Sequence, residues 1–229
     1  MNHSCQSKTS PESLNTQESL DCPKCGLRTP WANELVHLRQ QVITDPLTGL
    51  FNVRHFRASL ELELERTTRT LIPTTLMMVD LDHFKRINDD YGHEAGNLVL
   101  KTVARLIGQA TRQLDIQCRY GGEEFAIILP TTGILLASQV AERLRSMIEA
   151  QLIELDKESI RVTASIGLAE CSQPGQYSAG SLIEEADQNL YRAKAEGRNQ
   201  VRFTTRSPDE DHAVSHEEKD ALLGLFGDD

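Results

Sequence analysis

Acidic side chains at two places carry the strongest chemical signal in the sequence. Leu76-Met77-Met78-Val79 is an unbroken apolar run that ends in Asp80-Leu81-Asp82, the pattern of a strand buried on both faces. Period-two alternation puts Asp80 and Asp82 on one face, at the strand's C-terminal edge. Further on, Tyr120-Gly121-Gly122-Glu123-Glu124-Phe125 joins two β-prone runs, Ile116 to Tyr120 and Phe125 to Leu129. Gly-Gly at that place predicts a tight hairpin with a primed turn, so Glu123 and Glu124 leave it on opposite faces of the ribbon. Carboxylates gathered at a sheet edge repel one another unless a cation sits among them. That edge is where open α/β sheets bind ligands, and Mg2+ takes hard oxygen donors and pairs with substrate phosphates. Each piece also has a plainer reading: a hairpin with solvated acids, and aspartates that cap the next helix.

The elements that must position these acids alternate along the chain. Helical spacing covers Phe51 to Arg69, and the Leu76 strand follows. Ala95, Leu98, Val99, Val103, Leu106 and Ile107 form one face of a long helix. After the hairpin come a helix from Leu135 to about Leu152, a strand from Val162 to Leu168, a helix from Leu182 to Ala195 and a strand from Val201 to Phe203. This predicts an α+β palm-like layer sandwich, with a central mostly antiparallel sheet flanked by helices. Trp31, Leu35, Leu38 and Val42 recur at seam-like spacing. They predict a short N-terminal helical stalk that aligns two subunits or packs on the domain; alone it is too short for a stable coiled coil. The division is then a flexible leader at 1–29, the stalk at 30–44, the main domain at 45–205 and an acidic tail at 206–229.

The formal charge of the 229 residues is −10, and the stretch from Ser207 to Asp229 alone holds eight acids and one lysine. A body near −3 argues against a nucleic-acid-binding surface but leaves room for a local basic site. No apolar run is long enough to span a membrane and no secretory signal is present, so the expected location is cytoplasmic. The five cysteines are odd in number and scattered, which fits reduced thiols. Cys22-Pro23-Lys24-Cys25 resembles half a zinc ribbon. A tetrahedral site needs four ligands, which Cys5, His3 or a second subunit would have to complete; an accidental pair is the preferred reading.

A family resemblance runs through the chain in order. Asp45-Pro46-Leu47-Thr48-Gly49-Leu50-Phe51-Asn52 comes first, then Asp80-Leu81-Asp82-His83-Phe84-Lys85-Arg86-Ile87-Asn88-Asp89. Gly92-His93-Glu94-Ala95-Gly96-Asn97 and the Gly-Gly-Glu-Glu-Phe segment follow. Ala186-Asp187-Gln188-Asn189-Leu190-Tyr191-Arg192-Ala193-Lys194, with Gly197-Arg198-Asn199, closes the set. Together, over roughly residues 45 to 205, these resemble the diguanylate cyclases, the GGDEF-domain enzymes that join two GTP into cyclic di-GMP and release two pyrophosphates.

The resemblance implies roles. Asp80, the Leu81 carbonyl and Glu123 hold Mg2+, two ions per site with Mn2+ as a substitute, and Glu124 assists the second ion. Glu123 is also the family's proposed base, and Lys85 meets phosphate oxygens. Lys194 and Arg198, four apart, present one helical face to the triphosphate. Asn88 and His93 face the base and the sugar or a nearby phosphate. Asn97 stands where the family usually has Asp, which weakens one charge-assisted bond to guanine and opens the door to mixed purine products. Arg112-Gln113-Leu114-Asp115 matches an inhibitory product site, and Arg143 a secondary contact from a neighbouring subunit. Catalysis implies a homodimer, because two GTP must face each other, and a protein regulator is expected on the N-terminal helix. The alternatives are a catalytically silent module sensing GTP or cyclic di-GMP, and an interaction role for the termini, such as Lys219 to Phe226.

Overall fold

The computed structural model describes residues 43–155 and 158–205. Helix α1 (Val53–Thr70) is capped by Asn52, whose side chain accepts the His55 N–H. It leads into β1 (Thr74–Leu81), every residue of which is buried. Two helices follow, α2 (Phe84–Tyr91) and α3 (His93–Ala110). Then come β2 (Ile116–Arg119), β3 (Glu124–Leu129), α4 (Ile134–Ala150) and a minor ribbon of β4 (Ile153–Glu154) and β5 (Ser159–Ile160). Strand β6 (Ala164–Cys171), helix α5 (Ala179–Ala195) and β7 (Val201–Phe203) close the domain.

The main sheet has the order β2-β3-β1-β6-β7, antiparallel except for the β6–β7 pair. Alternation on β1 splits the core in two. Met77, Val79 and Leu81 pack with Val99, Val103 and Ile107 of α3 and Ala141, Leu144 and Ile148 of α4. Leu76 and Met78 pack with Phe56, Leu60 and Leu64 of α1 and Leu182, Ala186 and Leu190 of α5. An apolar β1 is thus required, since helices cover both of its faces. The palm-like α+β sandwich is as expected.

Boundaries differ in ways the packing explains. Phe51 is not helical; it bridges Thr44 and Cys118, and the helix begins after the Asn52 cap. The strand expected from Val162 to Leu168 runs from Ala164 to Cys171, because Glu170 and Cys171 pair with Thr75 and Thr74. Leu98 is 38% exposed, off the buried stripe of its helix. The stalk up to residue 42, the Cys22/Cys25 pair and the acidic tail lie outside the described residues. Among the described residues no helix is long and apolar enough to cross a membrane.

Candidate active site

Antiparallel pairing brings the end of β1 and the start of β3 to the same sheet edge, with Asp80 directly opposite Glu124. The Leu81 N–H donates to the Glu123 carbonyl at 3.4 Å, so the expected metal-site residues Asp80, Leu81, Glu123 and Glu124 are neighbours through the backbone itself. Burial first, and then repulsion from Asp80, pushes the Glu124 carboxyl above its ordinary range, against the pull of Lys194. Burial likewise raises Asp80, opposed by Lys194 and Arg198 and reinforced by Asp82. Two desolvated carboxylates side by side favour a cation between them. The hard oxygen donors fit Mg2+, although among the described residues no three His, Cys, Asp or Glu side chains close into a finished cage.

The loop that carries Glu123 is not a primed two-residue turn. The last pair of β2 and β3 is Arg119 with Phe125, and the N–H groups of Tyr120 and Gly121 both donate to the Glu124 carbonyl, at 2.8 and 3.2 Å. Neither Gly121 nor Gly122 has a positive φ. A Cβ at Gly121 would come within 2.4 Å of Glu124 Oε2, so a side chain there would displace the Glu124 carboxylate. Arg119 fixes the wider loop: its Nη2 donates to the Gly122 carbonyl at 2.8 Å and its Nη1 meets Asp45 at 3.2 Å. Asp45 also accepts the Thr48 N–H and hydroxyl, at 2.9 and 2.6 Å.

Lys194 and Arg198 do not share a helical face. Lys194 lies in the last turn of α5, and its Nζ is 2.8 Å from Asp80 Oδ2. Arg198 falls beyond the helix end, in a turn whose N–H closes back on the Ala193 carbonyl at 3.0 Å. The glycine at 197, with φ 119, breaks the helix there. Both cations still act on Asp80. Asp82, which strand alternation placed on the Asp80 face, is occupied by the hydroxyls of Thr163 and Ser165 and the Asn199 N–H.

Lys85 is exposed on the first turn of α2 and pairs with no side chain among the described residues. Asn88, His93 and Asn97 collect around the elbow between α2 and α3, where Gly92 has φ 83. The Asn88 side chain lies so close to α3 that a Cβ on Gly96 would sit 2.0 Å from its Oδ1. His93 and Asn97 are one turn apart, the first exposed and the second half-buried. The residues expected to meet phosphate and base therefore follow one another in the chain, from the end of β1 through the elbow.

The Arg112–Asp115 turn lies elsewhere. Asp115 Oδ2 accepts the Arg112 N–H at 2.6 Å, and the Arg112 guanidinium is exposed. Burial nonetheless raises the Asp115 carboxyl, against that N–H and the Arg112 charge. A cleft of about 400 Å³ opens there, lined by Glu63 and Arg66 of α1, by Arg112 to Asp115 and by Pro130 and Thr131. Arg143 Nη2 donates to the Ala110 carbonyl of its own chain, close to the turn it was expected to complete from a neighbouring subunit.

Sequence reasoning assigned no role to Asp187, Arg119 or Arg66. Asp187 is raised by burial and adds its repulsion at Glu124. Its place seven residues before Lys194, two turns up the same helix face, was a usable signal. Arg119 carried none, because its partner Asp45 is 74 residues away, and Arg66 reads only as a helix residue three from Glu63.

Fold and site together define a palm-like α+β domain with an acidic sheet edge backed by basic residues. Residues 42–200 match the family described as diguanylate cyclase, GGDEF domain. The chain belongs to this family. It is 37% identical over 171 residues to the response regulator PleD of Caulobacter vibrioides, covering 74% of this chain and 37% of PleD. It is 42% identical over 163 residues to the diguanylate cyclase DgcP of Pseudomonas aeruginosa, covering 71% of this chain and 24% of DgcP. The chain thus spans well under half the length of these relatives. The coiled coil and GGDEF domain of DgcB from Caulobacter crescentus, solved in complex with c-di-GMP, superposes with a TM-score of 0.71 at 31% identity, covering 75% of this chain and 91% of that one. The diguanylate cyclase SiaD of Pseudomonas aeruginosa, solved with its activator SiaC, gives 0.70 at 35% identity, covering 75% and 65%.

Proposed function

We propose that this chain is an active diguanylate cyclase that condenses two GTP into cyclic di-GMP. The observation that carries this is the register of Asp80 against Glu124, with Glu123 next in the chain and with Lys194 and Arg198 acting on the same carboxylate. Each 3′-hydroxyl attacks the other nucleotide's α-phosphate; the new P–O ester bond forms as the bond to pyrophosphate breaks, and the hydroxyl proton passes through Glu123, the expected base, to water. Asp80, the Leu81 carbonyl, Glu123 and Glu124 would hold Mg2+, which when bound would supply acidification of the hydroxyl and neutralisation of the leaving group. Lys85, Lys194 and Arg198 bind and orient the triphosphate, and Lys194 exchanges its contact with Asp80 for phosphate oxygens. Asn88, His93 and Asn97 hold the nucleoside end. Because one site supplies one GTP, the active species is a homodimer.

The product is proposed to inhibit through Arg112, Asp115 and Arg143, and the c-di-GMP complex of DgcB supports a product-binding family surface. The SiaD–SiaC complex supports control by a protein regulator, acting here on the 30–44 stalk. Incubation with GTP and Mg2+ followed by chromatography is expected to yield cyclic di-GMP. Tight GTP binding without product would favour the silent sensing module. Product containing adenine from mixed GTP and ATP would favour relaxed purine specificity through Asn97.

A further inference from the structure

Asp82 is 5% exposed, and donors occupy both of its oxygens. Oδ1 accepts the Ser165 hydroxyl at 2.7 Å, and Oδ2 accepts the Thr163 hydroxyl at 2.7 Å and the Asn199 N–H at 3.0 Å. The two hydroxyls belong to β6 and the residue before it, and would serve any buried acid. The third donor comes from Gly197-Arg198-Asn199, whose φ angles are 119, 63 and 47. Left-handed backbone at two successive non-glycine residues is unfavourable and persists only where its surroundings over-determine it.

Those surroundings are visible. The Arg198 N–H is tied to the Ala193 carbonyl at 3.0 Å. The Asn199 side chain accepts from Arg145 Nη1 at 2.9 Å and donates to Glu149 Oε1 at 2.8 Å. Asp82 supplies the bond that ties this turn to the end of β1, two residues from Asp80. Lys194, by contrast, is placed by α5 and does not depend on the turn.

We propose that Asp82 is a positioning residue for nucleotide binding: through the Asn199 amide it fixes the left-handed turn that aims Arg198 at the triphosphate beside Asp80. The inference rests on the assignment of Arg198 to the triphosphate. It predicts an asymmetry, in that the loss of Asp82 should cancel the contribution of Arg198 and spare that of Lys194.

The test uses the full chain as wild type, Asp82→Ala, Arg198→Ala, Lys194→Ala and the two double variants containing Asp82→Ala. Asp82→Ala should raise half-saturating GTP about tenfold, as for one lost charge-assisted contact, with a smaller change in kcat. It should be non-additive with Arg198→Ala and additive with Lys194→Ala. Hydrogen exchange at the Asn199 amide should speed up, with α3 unchanged, and Asp82→Asn, which keeps an acceptor, should recover part of both effects. Unchanged exchange at Asn199, or additivity with Arg198→Ala, overturns the proposal. If Arg198→Ala alone leaves GTP saturation unchanged, the triphosphate assignment has failed, and exchange at Asn199 alone decides whether Asp82 holds the turn. Should Asp82→Ala not fold, Asp82→Asn, which removes the charge of the acceptor, replaces it; raised half-saturation that is non-additive with Arg198→Ala supports the clamp, and half-saturation unchanged while exchange at Asn199 speeds up overturns it.

Discussion

Asn97, proposed to meet the base, stands where the family resemblance implies an aspartate, and its place on α3, one turn past His93, lets that reading be tested. An amide offers guanine one acceptor where a carboxylate offers two, and puts an N–H against a donor. Asn97→Asp should therefore raise the preference for GTP over ATP by about tenfold, the size of one charge-assisted hydrogen bond; competition assays with both nucleotides measure it. Glu124 makes a different prediction, about stability. Its folded pKa is raised, by burial and then by Asp80. Its contribution to stability is thus fully present below the ordinary 4.5 and lost as pH rises through the folded value. In metal-free buffer Glu124→Gln should melt with wild type below about pH 4.5 and above it at neutral pH. Equal melting temperatures at neutral pH would contradict the crowding of Asp80 and Glu124.

The hairpin shows what the sequence could and could not disclose about elements. Its two strands, and the arrival of Glu123 and Glu124 at the β1 edge, were legible from apolar runs and the Asp80 strand end. Its turn geometry was not, because Arg119, reaching from β2 to both Gly122 and Asp45, sets the loop. That contact joins residues 74 apart in sequence, and no local pattern encodes it. Helix α2 was equally hard to see, since only Phe84, Ile87 and Tyr91 of its eight residues are apolar or aromatic. The anchored loop predicts that Arg119→Ala costs about 2 kcal/mol, as for lost charge-assisted bonds, and lowers kcat by loosening Glu123. For Asp45, burial raises the carboxyl but Thr48 and Arg119 outweigh it, so the folded pKa is depressed. The stability it gives is present above 3.8 and lost as pH falls through the folded value. Asp45→Asn should flatten that acid limb in melts taken from pH 5 down to about 2.

At the scale of the whole molecule, the sheet edge and the Arg112 cleft are separate surfaces, which is what feedback without direct competition requires. Arg112→Ala should raise accumulated cyclic di-GMP while leaving the initial rate with GTP nearly unchanged. Calorimetric titration of cyclic di-GMP into both proteins checks the cause, and equal affinity would show the Arg112–Asp115 turn to be only a surface turn. Specific activity should fall on dilution, as the facing pair of sites comes apart; turnover by a demonstrated monomer would contradict the homodimer. The central claim is that the edge shared by Asp80, Glu123 and Glu124 is where GTP is turned over. Chromatography of GTP and Mg2+ incubated with wild type and with Glu123→Gln tests it most directly. The account predicts cyclic di-GMP from wild type and nearly none from Glu123→Gln, with both proteins folded by thermal melt. Wild-type turnover by a folded Glu123→Gln protein would contradict it.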